Sequence, residues 1–238
     1  MRDRKLTFAM VLLLAVNMCS VPLLKAETAD EIRTKALAVL KSDAPFEQKS
    51  TACRDLVRVG NRDCVPVLAA MLGDEKLSHM ARYALEPIPD KAVDEALRVA
   101  TEKLNGKLLS GVIGSIGARR DSASVELLGK FLNNSDPDVV RTTAMALGRI
   151  GTTAAGKILQ DALKGAKGDN VDRICDGLLT CAANLLAEGS EGKAKKLYDS
   201  IRGNDIPSRI RAAAFRGAVL CGESDSMELL AGMLNDKD

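Results

Sequence analysis

Residues 136–151, DPDVVRTTAMALGRIG, place a proline before an apolar helical pattern and a glycine after it. Pro137 stands in the first turn, where the missing N–H of proline costs a helix little. Gly151 stands just past the pattern, where glycine adopts the left-handed conformation that ends a helix. A helix this short cannot bury its apolar face alone, so the sequence predicts that it packs on further copies of itself.

Equivalents of Gly151 recur along the chain. Each ends an apolar, helix-like segment and precedes a few polar residues and a second helical segment; they are Gly60, Gly117, Gly189 and Gly222, with Pro89 in the same slot between the first two. The steps of roughly 28 to 38 residues match two short helices and two turns. We expect these glycines to be left-handed at the ends of the first helices.

Second helices complete the predicted pairs. Pro66 suits the first turn of one of them, and Asp121 and Asp225 are suitable N-caps for two others. The segments expected to be helical are 64–72, 92–104, 124–132, 154–163, 193–201 and 227–234. Apolar residues recur three and four apart in several of them, which indicates one buried face per helix.

The run from Asp136 to Gly151 resembles the HEAT repeat, particularly the short bacterial type also seen in phycobilin-lyase-like proteins. Residues 207–214 repeat the first half of the pattern, and the other units keep the apolar spacing and the terminal glycine. The resemblance covers nearly all of 30–238. It implies an all-α, right-handed α-solenoid of about six HEAT-like helix pairs.

The domain organisation follows from this resemblance. We expect a signal peptide at 1–26, an N-terminal capping helix within 27–43 and a repeat domain at 44–238. The approximate repeats are 44–76, 77–105, 106–135, 136–168, 169–205 and 206–238. The last predicted helix, 227–234, either caps the array itself or docks its outer face on another molecule.

The same resemblance implies a ladder of polar bonds between repeats. In the family pattern, an aspartate and an arginine near the start of the first helix bond to neighbouring turns. Asp138 and Arg141 match these positions best, and Arg211 repeats the arginine. His79 and Lys107 occupy the arginine slot of their own repeats, which leaves the expected ladder imperfect there.

The N-terminus has the features of an export signal. Arg2, Arg4 and Lys5 precede a short apolar run at 6–16, and Ala26 is the expected cleavage point. A membrane anchor is the rival interpretation, but the run is short of the ~20 residues that a spanning helix needs. A lipid-modified Cys19 is disfavoured because the residues before it are not small. We therefore expect a periplasmic or secreted protein without a membrane span.

Charge and composition disfavour a nucleic-acid-binding protein. Of 34 basic and 32 acidic residues, the leader holds four basic and one acidic, which leaves 30 and 31. A mature chain near charge −1 has no excess of cations for phosphates. Aromatic residues make up 3% and Trp is absent, which suits close helix packing better than stacking on bases.

Five cysteines follow the leader: Cys53, Cys64, Cys175, Cys181 and Cys221. They form no metal-binding or haem-binding spacing, so we expect no metal site and no cofactor. Burial as small apolar side chains is favoured for all five. A disulfide between Cys53 and Cys64 is the one pairing that merits a test, because they flank a predicted helix-to-helix turn.

A polar stripe in the second repeat is the candidate binding surface. His79, Arg82, Tyr83 and Glu86 are spaced to line one face of a helix. Such a face could contact a ligand or a partner. The alternative, which we favour, is a hydrogen-bonded patch that ties this helix to its neighbour, with Tyr83 partly buried.

Other candidate residues favour structure over chemistry. The spacing of Gly111, Gly114 and Gly117 favours close helix packing, because no phosphate-loop context surrounds it. Arg119 and Arg120 are expected to be solvated surface. Arg209 and Arg216 lie roughly on one face, where they could meet an anionic partner.

A catalytic constellation is hard to assemble from the sequence, although its many acidic residues leave open a carboxylate pair of the glycosidase type. A Ser-His-Asp triad would have to use His79, and no oriented nucleophile accompanies it beyond Ser78. We expect a scaffold or binding protein, not an enzyme, that holds an unidentified protein partner along a curved helical surface. The alternative is an enzyme or enzyme subunit of the HEAT-like lyase type, for which no residue carries over the activity.

Overall fold

The computed structural model describes residues 27–203 and 205–222, together with Ala231. Residues 27–222, apart from 204, form twelve α-helices and contain no strand. In chain order the helices are α1 (Ala29–Lys41), α2 (Phe46–Val59), α3 (Val65–Ala70), α4 (Ser78–Leu85), α5 (Lys91–Thr101), α6 (Gly106–Arg119), α7 (Val125–Gly129), α8 (Pro137–Ile150), α9 (Thr153–Gly165), α10 (Asp169–Ala187), α11 (Glu191–Asp199) and α12 (Ser208–Leu220). The all-helical prediction is confirmed for this part of the chain.

The helices form two rows that follow the chain. The first row contains α2, α4, α6, α8, α10 and α12, each packed against the next. In the second row, α3 packs on α5, α7 on α9 and α9 on α11, whereas α5 packs mainly on α6. α1 covers the N-terminal side of α2. This serial packing is the arrangement that the repeated sequence pattern predicts.

The helix at 136–151 shows why the sequence folds as it does. Asp136 caps α8, since its side chain accepts a hydrogen bond from the N–H of Asp138 at 2.9 Å. Pro137 is the first helical residue, and Gly151 ends the helix with φ 71°. The apolar positions of α8 are buried against the helices on either side. The predicted boundaries of this unit are therefore confirmed.

Two of the predicted left-handed glycines are wrong. Gly151, Gly189 and Gly222 have the expected positive φ, but Gly60 is extended and Gly117 lies inside α6. A Cβ on Gly117 would lie 2.7 Å from the Cα of Ala146 in α8. This glycine serves close helix packing, and Arg120 takes the left-handed turn instead, with φ 54°.

Three of the second helices, α3, α5 and α7, are shorter than the sequence pattern suggested, whereas α9 is longer. A 3-10 turn at Arg62–Cys64 leads into α3, and another at Ser122–Ser124 leads into α7. Asp121 caps the latter turn as predicted, because its Oδ1 accepts from the N–H of Ala123 at 3.2 Å. α5 ends at Thr101, three residues before the expected end.

Several predictions lie outside the described residues. These are the leader at 1–26, the N-cap at Asp225 and the last helix at 227–234, of which the structure describes Ala231. Across the described ranges, no helix combines the length and the apolar character that crossing a membrane requires.

Candidate functional site

The predicted polar stripe on α4 divides into two parts. His79 and Tyr83 are exposed, with 49% of Tyr83 accessible. Arg82 and Glu86 are half-buried and turn toward α6, where Ser115 lies between them. The Ser115 hydroxyl donates to Glu86 Oε1 at 2.7 Å and accepts from Arg82 Nη1 at 3.5 Å. Arg82 and Glu86 thus tie α4 to α6. Tyr83 is exposed, whereas the interpretation that we favoured from the sequence had it partly buried.

Arg82 also fills the space above a glycine. A Cβ on Gly111 of α6 would lie 2.8 Å from the guanidinium carbon of Arg82. Burial lowers the pKa of Arg82, and the nearby Glu86 carboxylate opposes that shift. Gly111 therefore provides room for a side chain of the preceding repeat, which corrects the prediction of close helix packing at this position.

Arg119 was expected to be solvated, and that expectation is wrong. Its side chain is 11% exposed and forms an ion pair with Asp94, the Nε–Oδ1 distance being 2.5 Å. Its Nη1 donates to the carbonyls of Glu86 and Ile88, each at 2.7 Å, and its Nη2 donates to that of Asp90 at 3.2 Å. One guanidinium thus bonds to three carbonyls of the turn between α4 and α5. Its planar set of N–H donors suits such multiple bonding.

A second arginine fixes α5 from the same side. Arg98 of α5 pairs with Asp121, the residue that caps the turn before α7. Arg120, unlike Arg119, is exposed and donates to Asn184 Oδ1 of α10 at 3.0 Å. Arg98, Arg119 and Arg120 thus add bonds between repeats to those that Ser115 forms.

The predicted ladder residues form bonds to residues close to them in sequence. Arg141 Nη2 lies 3.1 Å from Asp138 Oδ1 within α8, and both side chains are exposed. This ion pair thus lies inside one helix and does not join two repeats. Arg211 is buried and donates to the nearby carbonyl of Ile206 at 2.6 Å.

Arg209 already has anionic neighbours within the protein. It lies 2.9 Å from Asp172 and 3.3 Å from Asp176, both on α10. Hydrogen bonds to these carboxylates raise the pKa of Arg209. Arg209 therefore already pairs with carboxylates of this protein, whereas the sequence predicted that it could meet an anionic partner. Arg216 is exposed.

An open groove lies between α3 and α5, on the second row of helices. It has a volume of about 700 Å³ and is mainly apolar. We call it the α3–α5 groove; its lining residues are Arg62, Val65, Pro66, Ala69, Ala70, Leu72, Gly73, Ala92, Glu95, Ala96, Val99, Ala100, Lys103 and Leu104. This groove was not predicted from the sequence.

Small side chains leave this groove open. Ala92, Ala96 and Ala100 recur at every fourth position of α5, so they form one line along the helix. They face Ala69 and Ala70 across the groove, and Val99 beside them is 45% exposed. Between α7 and α9, by contrast, Ile158 approaches Gly129 so closely that a Cβ there would meet it at 3.1 Å. The alanine spacing was the sequence signal that could have revealed the groove.

The cysteines after the leader lie in the interior of the described part. All five cysteines after the leader are buried free thiols, including Cys53 and Cys64. Burial raises the pKa of Cys53 to about 11 and that of Cys175 to about 12. Among these residues, no group of three or more His, Cys, Asp or Glu side chains could hold a metal ion.

The solved structures that match this chain share little sequence with it. Two engineered proteins are 18% and 19% identical; the first match covers 80% of this chain and 96% of that one with a TM-score of 0.44, and the second covers 87% and 64% with 0.42. The complex of CpcE and CpcF of phycocyanin lyase from Nostoc sp. PCC7120 is 17% identical, with 87% and 82% covered and a TM-score of 0.43. No curated protein matches the chain.

A family model identifies the repeats directly. The model described as HEAT repeats matches residues 93–175, from α5 to the first half of α10. This segment contains the residues 136–151 from which the helix pairing was predicted, and its helices pack serially as such repeats do. From this match and from the paired helices that carry it, residues 93–175 of the chain consist of HEAT repeats.

Proposed function

We propose that this protein is an exported scaffold that holds a partner protein along the second row of helices, in a right-handed solenoid of about six helix pairs. The α3–α5 groove is the observation that carries the proposal. Its floor is apolar, and its lining includes exposed residues such as Pro66, Ala70 and Val99. A surface that keeps apolar side chains in contact with water is stabilised when a partner covers it.

The form of the groove favours a segment of protein over a small molecule. Sites for small molecules are concave cavities that enclose most of the ligand, with a few converging polar groups. Here the polar side chains, Arg62, Glu95 and Lys103, are exposed and flank the groove. An elongated apolar surface with a charged rim is the usual anatomy of a protein interface.

Export is a separate part of the proposal and has its own test. The basic residues and apolar run at 2–16 support it, together with the small residue at Ala26. Mass spectrometry of the protein from the cell envelope is expected to find a mature N-terminus at Glu27. A full-length chain recovered from the cytoplasm would contradict export without affecting the binding proposal.

Site-directed photo-crosslinking tests the binding proposal. A photoreactive amino acid replaces Val99 in the groove or, as the control, the exposed Ala183 of α10. In producing cells we expect one discrete protein adduct from position 99 and none from position 183. Ala96→Trp, which fills the groove, is expected to remove that adduct.

Two outcomes would contradict a scaffold. Equal cross-linking from both positions would show that the groove is not a preferred surface. A pigment or nucleotide that co-purifies with the mature chain in stoichiometric amount would support the alternative, an enzyme or enzyme subunit.

A further inference from the structure

We infer that the α3–α5 groove takes an amphipathic helix of the partner that carries an acidic residue near each end and a basic residue between them. The inference rests on the proposed function and names the chemistry of the partner segment. Three features carry it: the length of the groove, its small apolar floor and the order of its unpaired charges.

The groove has the dimensions of a site for a short helix. Its walls run in the same direction, because Gly73, just after α3, lies next to Leu104, just after α5; a Cβ on Gly73 would be 3.7 Å from Leu104 Cδ2. α5 has 11 residues, which at 1.5 Å per residue is about 16 Å. A partner helix of about three turns spans that length.

Because the floor of the groove consists of alanines, it leaves room for large apolar side chains of the partner. Ala69 and Ala70 on one wall face Ala92, Ala96 and Ala100 on the other. Between two such walls, a third helix packs well when it supplies leucine or methionine at positions three and four apart. The floor thus specifies the apolar face of the partner.

The charged residues at the rim of the α3–α5 groove specify the order of the charged residues in the partner helix. Arg62 precedes α3 at one end of the groove, and Lys103 follows α5 at the other. Glu95 lies between them on the α5 wall. In the described part of the chain, none of the three forms an ion pair within 4.0 Å, whereas Asp94 and Arg98 of α5 are bonded to the third repeat. The rim charges remain available to a partner.

The spacing of these charges determines how far apart the complementary charged residues of the partner helix lie. Glu95 lies on α5 and Lys103 lies just after it, eight residues later, which is about 12 Å at the rise of an α-helix. A helix lying along the groove meets them with a basic and an acidic residue seven or eight positions apart. A second acidic residue, beyond the basic one, meets Arg62. Opposite-charge contacts of this kind select the orientation of the bound segment.

A displayed library of helical peptides tests the charge order. The peptides have about 14 residues, leucine and alanine fixed on one face, and Glu, Lys or Gln at random on the flanking positions. The mature protein is the target, with Lys103→Glu and, as a matched control outside the groove, Lys130→Glu. Lys130 is also exposed, so its reversal tests for a general effect of charge.

The expected selection has a definite pattern. The unmodified protein enriches peptides with Glu near both ends and Lys between them, and Lys103→Glu inverts the preference at one end. One selected peptide is expected to bind Lys103→Glu about three- to tenfold more weakly, with affinity for Lys130→Glu unchanged. Fluorescence anisotropy measures both changes.

Three results would overturn the inference: no enriched peptide, enrichment without a positional charge preference, or a preference that Lys103→Glu leaves unchanged. If cross-linking at position 99 succeeds while any of these holds, the scaffold function stands and the assigned partner chemistry fails. If cross-linking also fails, the proposed function fails with it.

Discussion

Helix α6 forms two very different junctions on its two sides. Toward α8 it packs through Gly117, which brings the helix backbones together, and α8 packs on α10 in the same manner through Gly148 and Gly177. Toward α4 it is held by side chains: Ser115 bonds to Glu86, and Arg119 bonds the turn at 86–90. The first is a glycine junction and the second an arginine junction.

The difference explains where the open surface lies. At the glycine junctions, α8 and α10 have 14 and 19 residues and pack along much of their length. At the arginine junction, α4 has 8 residues, and the position of α5 depends on polar bonds to Asp94 and Arg98. Since α5 is one wall of the α3–α5 groove, the repeats that are less tightly packed are those that form the proposed binding surface.

The largest loss of stability is expected from a side chain added at Gly177, where α8 and α10 pack through glycine. A Cβ on Gly177 would lie 2.5 Å from the carbonyl oxygen of Ala144, a backbone atom that cannot move independently. Gly177→Val should therefore lower the free energy of unfolding by about 4 kcal/mol, as severe overpacking does. Urea denaturation measures the change.

The control for this substitution is Gly165→Val at the end of α9. No atom lies within 4 Å of a Cβ at that position. Its unfolding free energy should change by about 0.5 kcal/mol or less. If both variants lose the same stability, close backbone packing at Gly177 is refuted.

A smaller loss is expected at the arginine junction. Arg119→Ala leaves the Asp94 carboxylate and three carbonyls of the turn at 86–90 without their donor, so about 3 kcal/mol should be lost. The loss should be accompanied by faster amide hydrogen exchange in α5 than in α10. Arg141→Ala, which breaks the exposed pair with Asp138, should cost about 0.5 kcal/mol or less. Uniformly faster exchange in α5 and α10 would contradict a local role for Arg119.

The limits of α8 were predicted from the sequence better than the arginine junction was. The spacing of Pro137 and Gly151 was sufficient for the limits of α8, because caps are set by residues within a few positions. Arg119 was misassigned because its partners, Asp94 and the carbonyls at 86–90, lie about 30 residues earlier in the chain. The groove was missed because it results from side chains that are small on two separate helices.

Raising the pH is expected to lower the free energy of unfolding by a smaller amount than these substitutions do, through buried thiols in both halves of the molecule. Burial raises the pKa of Cys53 in α2, and of Cys181 in α10, to about 11 from an ordinary value of 9.0. The unfolded chain therefore ionises first, and these thiols lose their contribution to stability as pH rises from about 9 to 11. Denaturation at pH 7, 9 and 10.5 should show a decline that Cys53→Ala and Cys181→Ala each reduce. Variants that decline as steeply as the parent would contradict this assignment.

The two junctions can be compared most directly within α6 itself. A Cβ on Gly117 would meet the backbone of Ala146 at 2.7 Å, and one on Gly111 would meet the mobile tip of Arg82 at 2.8 Å. Both glycines are helical, so the gain in helix propensity from alanine is the same. Gly117→Ala should therefore lose about 2 kcal/mol more unfolding free energy than Gly111→Ala, because Arg82 can move aside and a backbone cannot. Equal losses, or a greater loss for Gly111→Ala, would contradict the account of the two junctions.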